Sequence, residues 1–412
     1  MGKVTRAWAT VVALAVVTPL GTAACGNENK KPGLVSGSAG ASASPTPPAE
    51  PLALAVTPAE GAKKQPVSTE IGTKVSGGKI TQVTLTVAGG GEVKGSLRDD
   101  GSSWVPATPL KYAKTYTAKV TATTPAGQSE TKTTSFTTMA KPGSVIGSGL
   151  YLFDDRTYGV AMPVVVEFSP GIKEKDRARV QRRMFVTSDP PQPGAWHWVE
   201  NGTQAYYRGK EYWKPGTTLD VRIGLEGIPL SNGRYGNVDR KATGKIGDRF
   251  EMKVDNRTKK MSVYEGGKLV RTIPVSLGKK STPSSSGTMV VMEKKESTVF
   301  DTRDDPDPTN RYVTDIDFAQ RLTWGGEYIH AAPWSVANQG RRNVSHGCVN
   351  VSTANARWLF EKTKVGDPVT VSGTERKLAA GNGWTAWNLS WEQFVKGSAI
   401  PVTDGGGAGQ SG

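Results

Sequence analysis

The rarest reactive side chains of this chain are concentrated between His330 and Asn350. This stretch contains two of the three histidines, His330 and His346, together with the thiol of Cys348. The only other cysteine is Cys25. A cysteine with a histidine within reach can act as a nucleophile, because the imidazole accepts the thiol proton and the thiolate attacks an electrophilic carbon. We therefore predict that Cys348 is a catalytic nucleophile.

Either nearby histidine is a candidate base for Cys348. His346 lies two residues before the cysteine, so in an extended chain both side chains point to the same face, about 7 Å apart. His330 ends the run 327–330, which has the composition of a strand end, and a returning loop would bring its ring over the sulfur. The spacing alone does not decide between the two histidines.

Zinc binding and simple packing are the alternative roles for this cluster. Structural zinc sites use paired spacings such as CxxC or HxxxH, which are absent among the three soft ligands here. A lone cysteine is often a small buried apolar residue, but polar and turn-forming residues flank this one. A disulfide between Cys25 and Cys348 would consume the nucleophile. We favour the nucleophile, and we expect no metal or organic cofactor.

The sequence around these residues resembles the active-site signature of the L,D-transpeptidases of actinobacterial cell walls. The similarity lies in His330-Ala-Ala-Pro-Trp-Ser-Val336 and in Asn343-Val-Ser-His-Gly-Cys-Val-Asn-Val-Ser352. The resemblance implies that Cys348 is acylated, that His330 takes and returns the proton, and that the carbonyl of Ala331 orients the imidazole ring.

The resemblance also implies the residues that surround this pair. Those that shape the site and its oxyanion hole are Ser345, His346 and Gly347. Those that contact substrate are Tyr312, Gly325, Gly326, Trp334 and Asn350. We expect the segment between Tyr312 and His330 to form a flap over the site, with the two glycines as its hinge.

The implied reaction is a cross-linking of peptidoglycan stem peptides. The thiolate would release the terminal D-Ala of a tetrapeptide stem, and an amine of a second stem would take the acyl group in a 3→3 cross-link. Carbapenems would acylate the same cysteine. An L,D-carboxypeptidase or hydrolase with the same nucleophile and a non-enzymatic wall-binding lipoprotein are the alternatives.

The elements that must position these residues are predicted to be mainly β. Short alternating runs separated by turn residues indicate two immunoglobulin-like β-sandwiches, then a β-rich catalytic domain with a few helices and a C-terminal subdomain. The runs lie at 80–87, 116–122 and 131–137, at 164–168, 182–186 and 218–223, and at 250–254, 261–264 and 269–275. His197, between two tryptophans in the second sandwich, is predicted to be a packed strand residue.

The sequence after the nucleophile predicts the one clear helix of the catalytic domain. Ser352 is its expected N-cap, residues 354–363 its body, and residues 369–371 the last strand of the catalytic sheet. The aromatic tail that begins at Trp384 resembles a C-terminal subdomain that packs back on the catalytic domain.

The N-terminus predicts export and lipid anchoring. Lys3 and Arg6 precede an apolar run from 7 to 20, and small residues lead into Cys25, as at a bacterial lipoprotein cleavage site. Two acyl chains on this cysteine would hold the protein at the outer face of the membrane. The predicted units are 1–25 (signal), 26–50 (linker), 51–140 and 141–244 (sandwiches), 245–373 (catalytic) and 374–412 (C-terminal subdomain and disordered tail).

The composition limits the partners. Lys and Arg number 52 against 37 Asp and Glu, a net charge of +15, which suits polyanions such as nucleic acid, anionic lipid or wall phosphate polymers. The cations are scattered and no nucleic-acid motif is present, so we exclude nucleic acid as a partner. The acidic run that contains Asp301, Asp304, Asp305 and Asp307 is interrupted by prolines, which favours a solvated loop over a calcium site.

Overall fold

The computed structural model describes residues 50–199, 201–304 and 307–402. The signal segment, Cys25, the linker before residue 50, Asp305 and the tail from residue 403 lie outside the described residues, as does any pairing of Cys25 with Cys348. Within the described residues, no helix is long and apolar enough to cross a membrane.

The first sandwich consists of two four-stranded sheets. Its alternating residues bury a small apolar core that includes Ile71, Leu85, Trp104, Tyr116 and Phe136. One sheet has the order β1-β3-β6-β5 and the other β2-β8-β7-β4. The strands are β1 (Ala53–Thr57), β2 (Ala62–Gln65), β3 (Ile71–Ser76), β4 (Lys79–Val87), β5 (Gly95–Leu97), β6 (Ser103–Pro106), β7 (Thr115–Thr123) and β8 (Ser129–Thr138).

The second sandwich is larger and carries a helix that the sequence pattern did not indicate. Because helix α1 continues to Gln181 and ends at Arg182, the strand expected at 182–186 begins only at Met184. The sheets have the orders β13-β14-β11-β9-β16 and β10-β17-β15-β12. The elements are β9 (Val145–Leu150), β10 (Arg156–Tyr158), β11 (Val164–Ser169), α1 (Glu174–Gln181), β12 (Met184–Asp189), β13 (Gly194–Trp198), β14 (Gln204–Gly209), β15 (Thr218–Gly224), β16 (Tyr235–Gly236) and β17 (Asp239–Ile246).

Two further sheets pack around a helix in the region that carries the cysteine. The six-stranded sheet has the order β20-β19-β18-β26-β21-β27, and the four-stranded sheet β22-β23-β24-β25. The elements are β18 (Phe250–Asp255), β19 (Lys260–Glu265), β20 (Lys268–Pro274), β21 (Ser285–Val290), β22 (Glu293–Asp301), β23 (Val313–Arg321), β24 (Tyr328–Ala331), β25 (Val349–Val351), α2 (Thr353–Lys362), β26 (Pro368–Ser372) and β27 (Arg376–Lys377).

Helix α2 spans Thr353–Lys362, within one residue at each end of the helix predicted at 354–363. The Ser352 hydroxyl accepts a hydrogen bond from the N–H of Asn355 at 3.4 Å, so it caps the helix. Strand β26 is central in its sheet, and the two-residue strand β27 follows it, so the prediction that residues 369–371 form the last strand was wrong by one short element.

The C-terminal aromatic segment packs mainly on the second sandwich. The sequence analysis had predicted that it packs on the catalytic domain, and this prediction was wrong. Trp384 and Phe394 belong to the core of the second sandwich, which also takes in Met292 from the catalytic region. His197 Nδ1 lies 2.8 Å from the carbonyl oxygen of Phe394, and the two rings stack at 5.0 Å, so this histidine is a packed strand residue as predicted. Helix α3 (Trp391–Val395) lies in this segment.

Candidate active site

Adjacent parallel strands bring the two key side chains together. Strands β24 and β25 pair so that Ile329 lies opposite Val349 and His330 opposite Asn350. Cys348 immediately precedes β25, at the carboxyl end of the loop that returns from β24. The hydrogen-bonded register of this sheet therefore fixes the histidine and the cysteine at the wall of one pocket.

The His330 ring is held in one orientation. Its Nδ1 lies 2.8 Å from the carbonyl oxygen of Ala331, so Nδ1 carries the proton that it donates there, and Nε2 is left as the acceptor. Phe300 and Trp334 flank the ring at 5.7 and 6.0 Å between centroids. Burial lowers the pKa of His330 below its ordinary 6.5, against the opposing effect of its Ala331 and Asn350 contacts. The imidazole is therefore neutral at neutral pH.

Cys348 is a buried thiol with only 6% of its surface exposed. Its pKa is raised to about 12: burial is the largest cause, the backbone N–H of Tyr328 acts in the opposite direction, and the nearby Glu327 carboxylate contributes to the rise. The sulfur lies 3.6 Å from the carbonyl oxygen of Gly326. A neutral thiol beside a neutral imidazole is thus the resting state, and a thiolate forms only when the imidazole removes the proton.

The loop before the cysteine is held by hydroxyl groups. Ser345 Oγ donates to the Cys348 carbonyl at 2.7 Å and accepts from the Gly347 N–H at 3.1 Å. Gly347 has φ = +126°, which a side chain would make unfavourable. Its carbonyl accepts a hydrogen bond of 2.6 Å from Ser284 Oγ. This loop therefore presents its backbone to the pocket in a fixed conformation.

His346 lines the same pocket but has a different environment. It is exposed, its Nε2 lies 3.1 Å from Lys279 Nζ, and its ring is 5.0 Å from that of Tyr312. This contact with Lys279 occupies Nε2 of His346, a ring nitrogen that would otherwise be able to accept the thiol proton.

The pocket has a volume of about 350 Å³. It brings together the predicted residues Tyr312, His330, Trp334, Ser345, His346, Cys348 and Asn350, with Phe300, Thr314, Ile316 and Val344 in addition. Phe300 is an aromatic wall that the sequence analysis missed, because nothing in its local pattern distinguishes it from an ordinary strand residue.

The pocket lining also takes in a strand that precedes the predicted flap. The long hairpin of β22 and β23 contributes Phe300, Thr314 and Ile316, whereas the flap between Tyr312 and His330 stays a prediction. Neither glycine of the expected hinge belongs to this lining. The N–H of Gly325 donates to Asn382 Oδ1 at 2.8 Å, whereas the Gly326 carbonyl lies near the sulfur.

An ion pair between the buried carboxylate of Glu327 and the exposed Arg376 is the second feature that sequence reasoning missed. The Glu327 carboxylate accepts hydrogen bonds from the N–H and Oγ of Ser285 at 3.0 and 2.7 Å and from Arg376 Nη2 at 2.6 Å. A Cβ on Gly347 would lie 3.5 Å from Glu327 Cγ. Only the tertiary fold reveals the contacts among Ser285, Glu327 and Arg376, since these three residues are far apart in sequence.

The described residues contain no group of His, Cys, Asp or Glu side chains arranged to hold a metal ion. Asp301 of the acidic run pairs instead with Arg303 at 2.6 Å.

Comparisons with known proteins connect both halves of the chain to described families. Residues 62–229 match a bacterial Ig domain, and residues 249–371 match an L,D-transpeptidase catalytic domain. L,D-transpeptidase 2 of Mycobacterium tuberculosis is 32% identical over 404 residues, covering 96% of each chain. L,D-transpeptidase 5 of the same species is 32% identical, covering 86% of this chain and 78% of that protein. A solved LD transpeptidase in complex with imipenem is 32% identical, covers 56% of this chain and all of its own, and has a TM-score of 0.47.

Proposed function

The chain belongs to the L,D-transpeptidase family, and from this premise we propose that it cross-links peptidoglycan stems through a thioester on Cys348. The observation that carries the assignment of roles is the orientation of His330. Its Nδ1–H is fixed on the Ala331 carbonyl, so Nε2 is available as the base for the thiol that shares its pocket.

In the first half-reaction, His330 Nε2 takes the thiol proton as the sulfur attacks the carbonyl between the third stem residue and the terminal D-Ala. Because the resting thiol is neutral, proton removal accompanies attack. Backbone N–H groups near Cys348, other than that of Gly347, which already donates to Ser345 Oγ, hold the oxyanion. His330 then returns the proton to the leaving amine of D-Ala, and a thioester remains on Cys348.

In the second half-reaction, the side-chain amine of the third residue of another stem attacks the thioester. His330 accepts a proton from this amine and returns it to the departing sulfur, so that a 3→3 cross-link forms and the neutral thiol of Cys348 is regenerated. No step requires a metal or an organic cofactor. Phe300 and Trp334 flank His330 in the pocket, and this apolar lining favours the amine over water as the group that attacks the thioester.

The test uses the chain without residues 1–25, a purified disaccharide tetrapeptide and mass spectrometry of the products. A dimer lighter by one D-Ala than two substrates is expected, and Cys348→Ala and His330→Gln should abolish it. His346→Gln is the comparison variant: it should lower the yield of dimer without abolishing it, because His346 lines the pocket but is not the base.

A tripeptide monomer without dimer would indicate the carboxypeptidase instead. Dimer formation that survives His330→Gln but is lost in His346→Gln would overturn the assignment of the base. The absence of any product would leave the non-enzymatic wall-binding alternative.

A carbapenem is expected to acylate the same sulfur, because its strained lactam presents a carbonyl to the nucleophile. Intact-mass measurement after incubation should show one added inhibitor in the wild type and in His346→Gln, and none in Cys348→Ala. An adduct on the alanine variant would show that the inhibitor reacts elsewhere.

The enzyme acts outside the cytoplasm, where its substrate lies, and a diacylglyceryl group on Cys25 anchors it to the outer face of the membrane. The sequence before this cysteine supports the proposal. Cys25→Ala should release the protein into the medium or leave its signal segment uncleaved, as a fractionated immunoblot would show. Membrane retention of this variant with its signal segment cleaved would contradict the anchor.

A further inference from the structure

A cavity of about 880 Å³ lies between the two sandwiches, far in sequence from Cys348. Its floor comes from the first sandwich, one wall from helix α1 of the second, and Ile400 of the C-terminal segment completes the lining. Five cationic side chains and two carboxylates line it, which leaves three positive charges unbalanced.

Two of the five cations, Arg98 and Arg183, are already paired with Glu70. Glu70 receives Arg98 Nη2 at 2.7 Å and Arg183 Nη1 at 2.8 Å, and the Ser103 hydroxyl also donates to it. These contacts lower the pKa of Glu70 to about 2 despite its burial. Asp100 accepts from the backbone N–H of Ser102 at 2.9 Å. The floor is therefore a prebuilt, rigid set of charges.

The cations on the wall are not neutralised in this way. Lys175, Arg179 and Arg182 follow one another at i, i+4 and i+7, so they form a stripe on one face of α1, about 10 Å long. Arg179 Nη1 donates to the carbonyl of Pro229 at 2.7 Å and lies 3.8 Å from Asp176. Across the described ranges of the chain, the exposed side chains of Lys175 and Arg182 have neither a hydrogen bond nor an ion pair.

The helix dipole does not account for this stripe. Cations stabilise the last turn of a helix, which suits Arg179 and Arg182, but they are unfavourable in the first turn, where Lys175 lies. An anion in the cavity would remove this penalty and use the free donors of all three side chains. Guanidinium groups suit phosphate because they donate two parallel hydrogen bonds to its oxygens.

We propose that this inter-sandwich cavity binds a phosphodiester segment of a wall polymer and so holds the enzyme on its substrate mesh. Repeated phosphates match cations spaced along a stripe, of which Lys175 and Arg182 are exposed and unpaired within the described residues, whereas a single carboxylate would meet only one of them. The cavity takes no part in the chemistry at Cys348, so turnover of a soluble tetrapeptide does not depend on it.

The test measures binding of the full chain, purified in detergent, to poly(glycerol phosphate) and to inorganic tripolyphosphate by calorimetry. Lys175→Gln with Arg182→Gln should weaken binding of both probes by about tenfold or more, since two charge-assisted contacts are lost. The matched control removes two exposed lysines of the same sandwiches, Lys119→Gln with Lys245→Gln, and should change the dissociation constant less than about twofold.

Three outcomes would overturn the proposal. Equal losses in both double variants would mean that net charge alone attracts the polymer. Binding of tripolyphosphate but not of poly(glycerol phosphate) would assign the cavity to a free polyphosphate. Equally tight, variant-sensitive binding of a soluble stem peptide would assign it to carboxylates. Dimer formation from soluble tetrapeptide by the same variant checks the fold and separates this proposal from the catalytic one.

Discussion

At the scale of residues, the chemistry rests on a neutral pair rather than on a preformed ion pair. Burial raises the thiol pKa of Cys348 to about 12 and lowers the pKa of His330. We expect carboxamidomethylation of the resting enzyme to be slow at neutral pH and to accelerate into the alkaline range. The turnover rate should instead rise with pH only through the His330 ionisation, below pH 6.5, since the base must be neutral. Mass spectrometry measures the rate of labelling at each pH, and a pH profile of kcat/KM measures turnover.

A thiolate–imidazolium pair would give the opposite labelling result. Cys348 would then react rapidly at neutral pH, and its reactivity would fall only on acidification. His330→Gln is the control for the labelling measurement, because it should abolish turnover and leave the slow labelling of the buried thiol in place.

Arg376 partly balances the Glu327 carboxylate, which lies near the nucleophile. It pairs with Glu327 at 2.6 Å, and the Glu327 charge opposes thiolate formation. Arg376→Gln should therefore raise the thiol pKa, slow labelling at any fixed alkaline pH and lower kcat with little change in KM. Arg376→Lys should recover part of the rate, since it keeps the charge but not the planar geometry.

The double variant Glu327→Gln with Arg376→Gln distinguishes charge from packing. It removes the carboxylate together with its partner, so labelling should return towards the wild-type rate. If the double variant stays as slow as Arg376→Gln, the arginine supports the loop through packing alone.

At the scale of elements, the sequence predicted what local patterns determine. The strands of the sandwiches, the meander of β18 to β20, and helix α2 with its Ser352 cap all have signals within a few residues. The position of Phe300 in the pocket lining, the Glu327–Arg376 pair and the packing of the C-terminal segment depend on contacts between distant segments. Cys348 and His330 could be found without tertiary information, because cysteine and histidine are rare in this chain and both residues lie in a recognisable motif.

The cap of α2 links a local signal to the site, because Ser352 follows directly after β25. Ser352→Ala should lower the free energy of unfolding by about 1 kcal/mol through the lost cap. It should also lower turnover, since the end of β25 fixes the loop of Cys348. Ser390→Ala removes the comparable cap of α3 and is the control: we expect a similar loss of stability without a loss of turnover. Equal activity losses in both variants would show that global stability limits the assay.

At the scale of the whole molecule, the junction between the second sandwich and the catalytic region contains an unusual carboxyl group. Asp367 is fully buried. Its Oδ2 accepts from the Lys364 N–H at 2.7 Å, and within the described residues Oδ1 has no hydrogen-bond partner. The N–H groups of Gly159 and Ala161 cross to the carbonyls of Val365 and Gly366 beside it. Burial raises the pKa of Asp367 from 3.8 to about 7.

This shift predicts that the junction weakens as pH rises. Between about pH 4 and 7 the folded state keeps a proton on Asp367 that the unfolded state has lost, so the free energy of unfolding falls across this window, by at most roughly 4 kcal/mol. Glu70 behaves in the opposite way, since its folded pKa of about 2 places its loss of stability below pH 4.5. The two carboxylates therefore act in separate pH windows.

The measurement is urea unfolding at several pH values for the wild type and for Asp367→Asn, which mimics the protonated form. His330 and His197 have lowered pKa values and destabilise the fold as pH falls through the same window, so the informative quantity is the difference between the two proteins. That difference should grow in favour of the variant from about pH 4 to 7 and then level off. A constant difference would show that Asp367 is ionised throughout and that polar groups at the junction already compensate its charge.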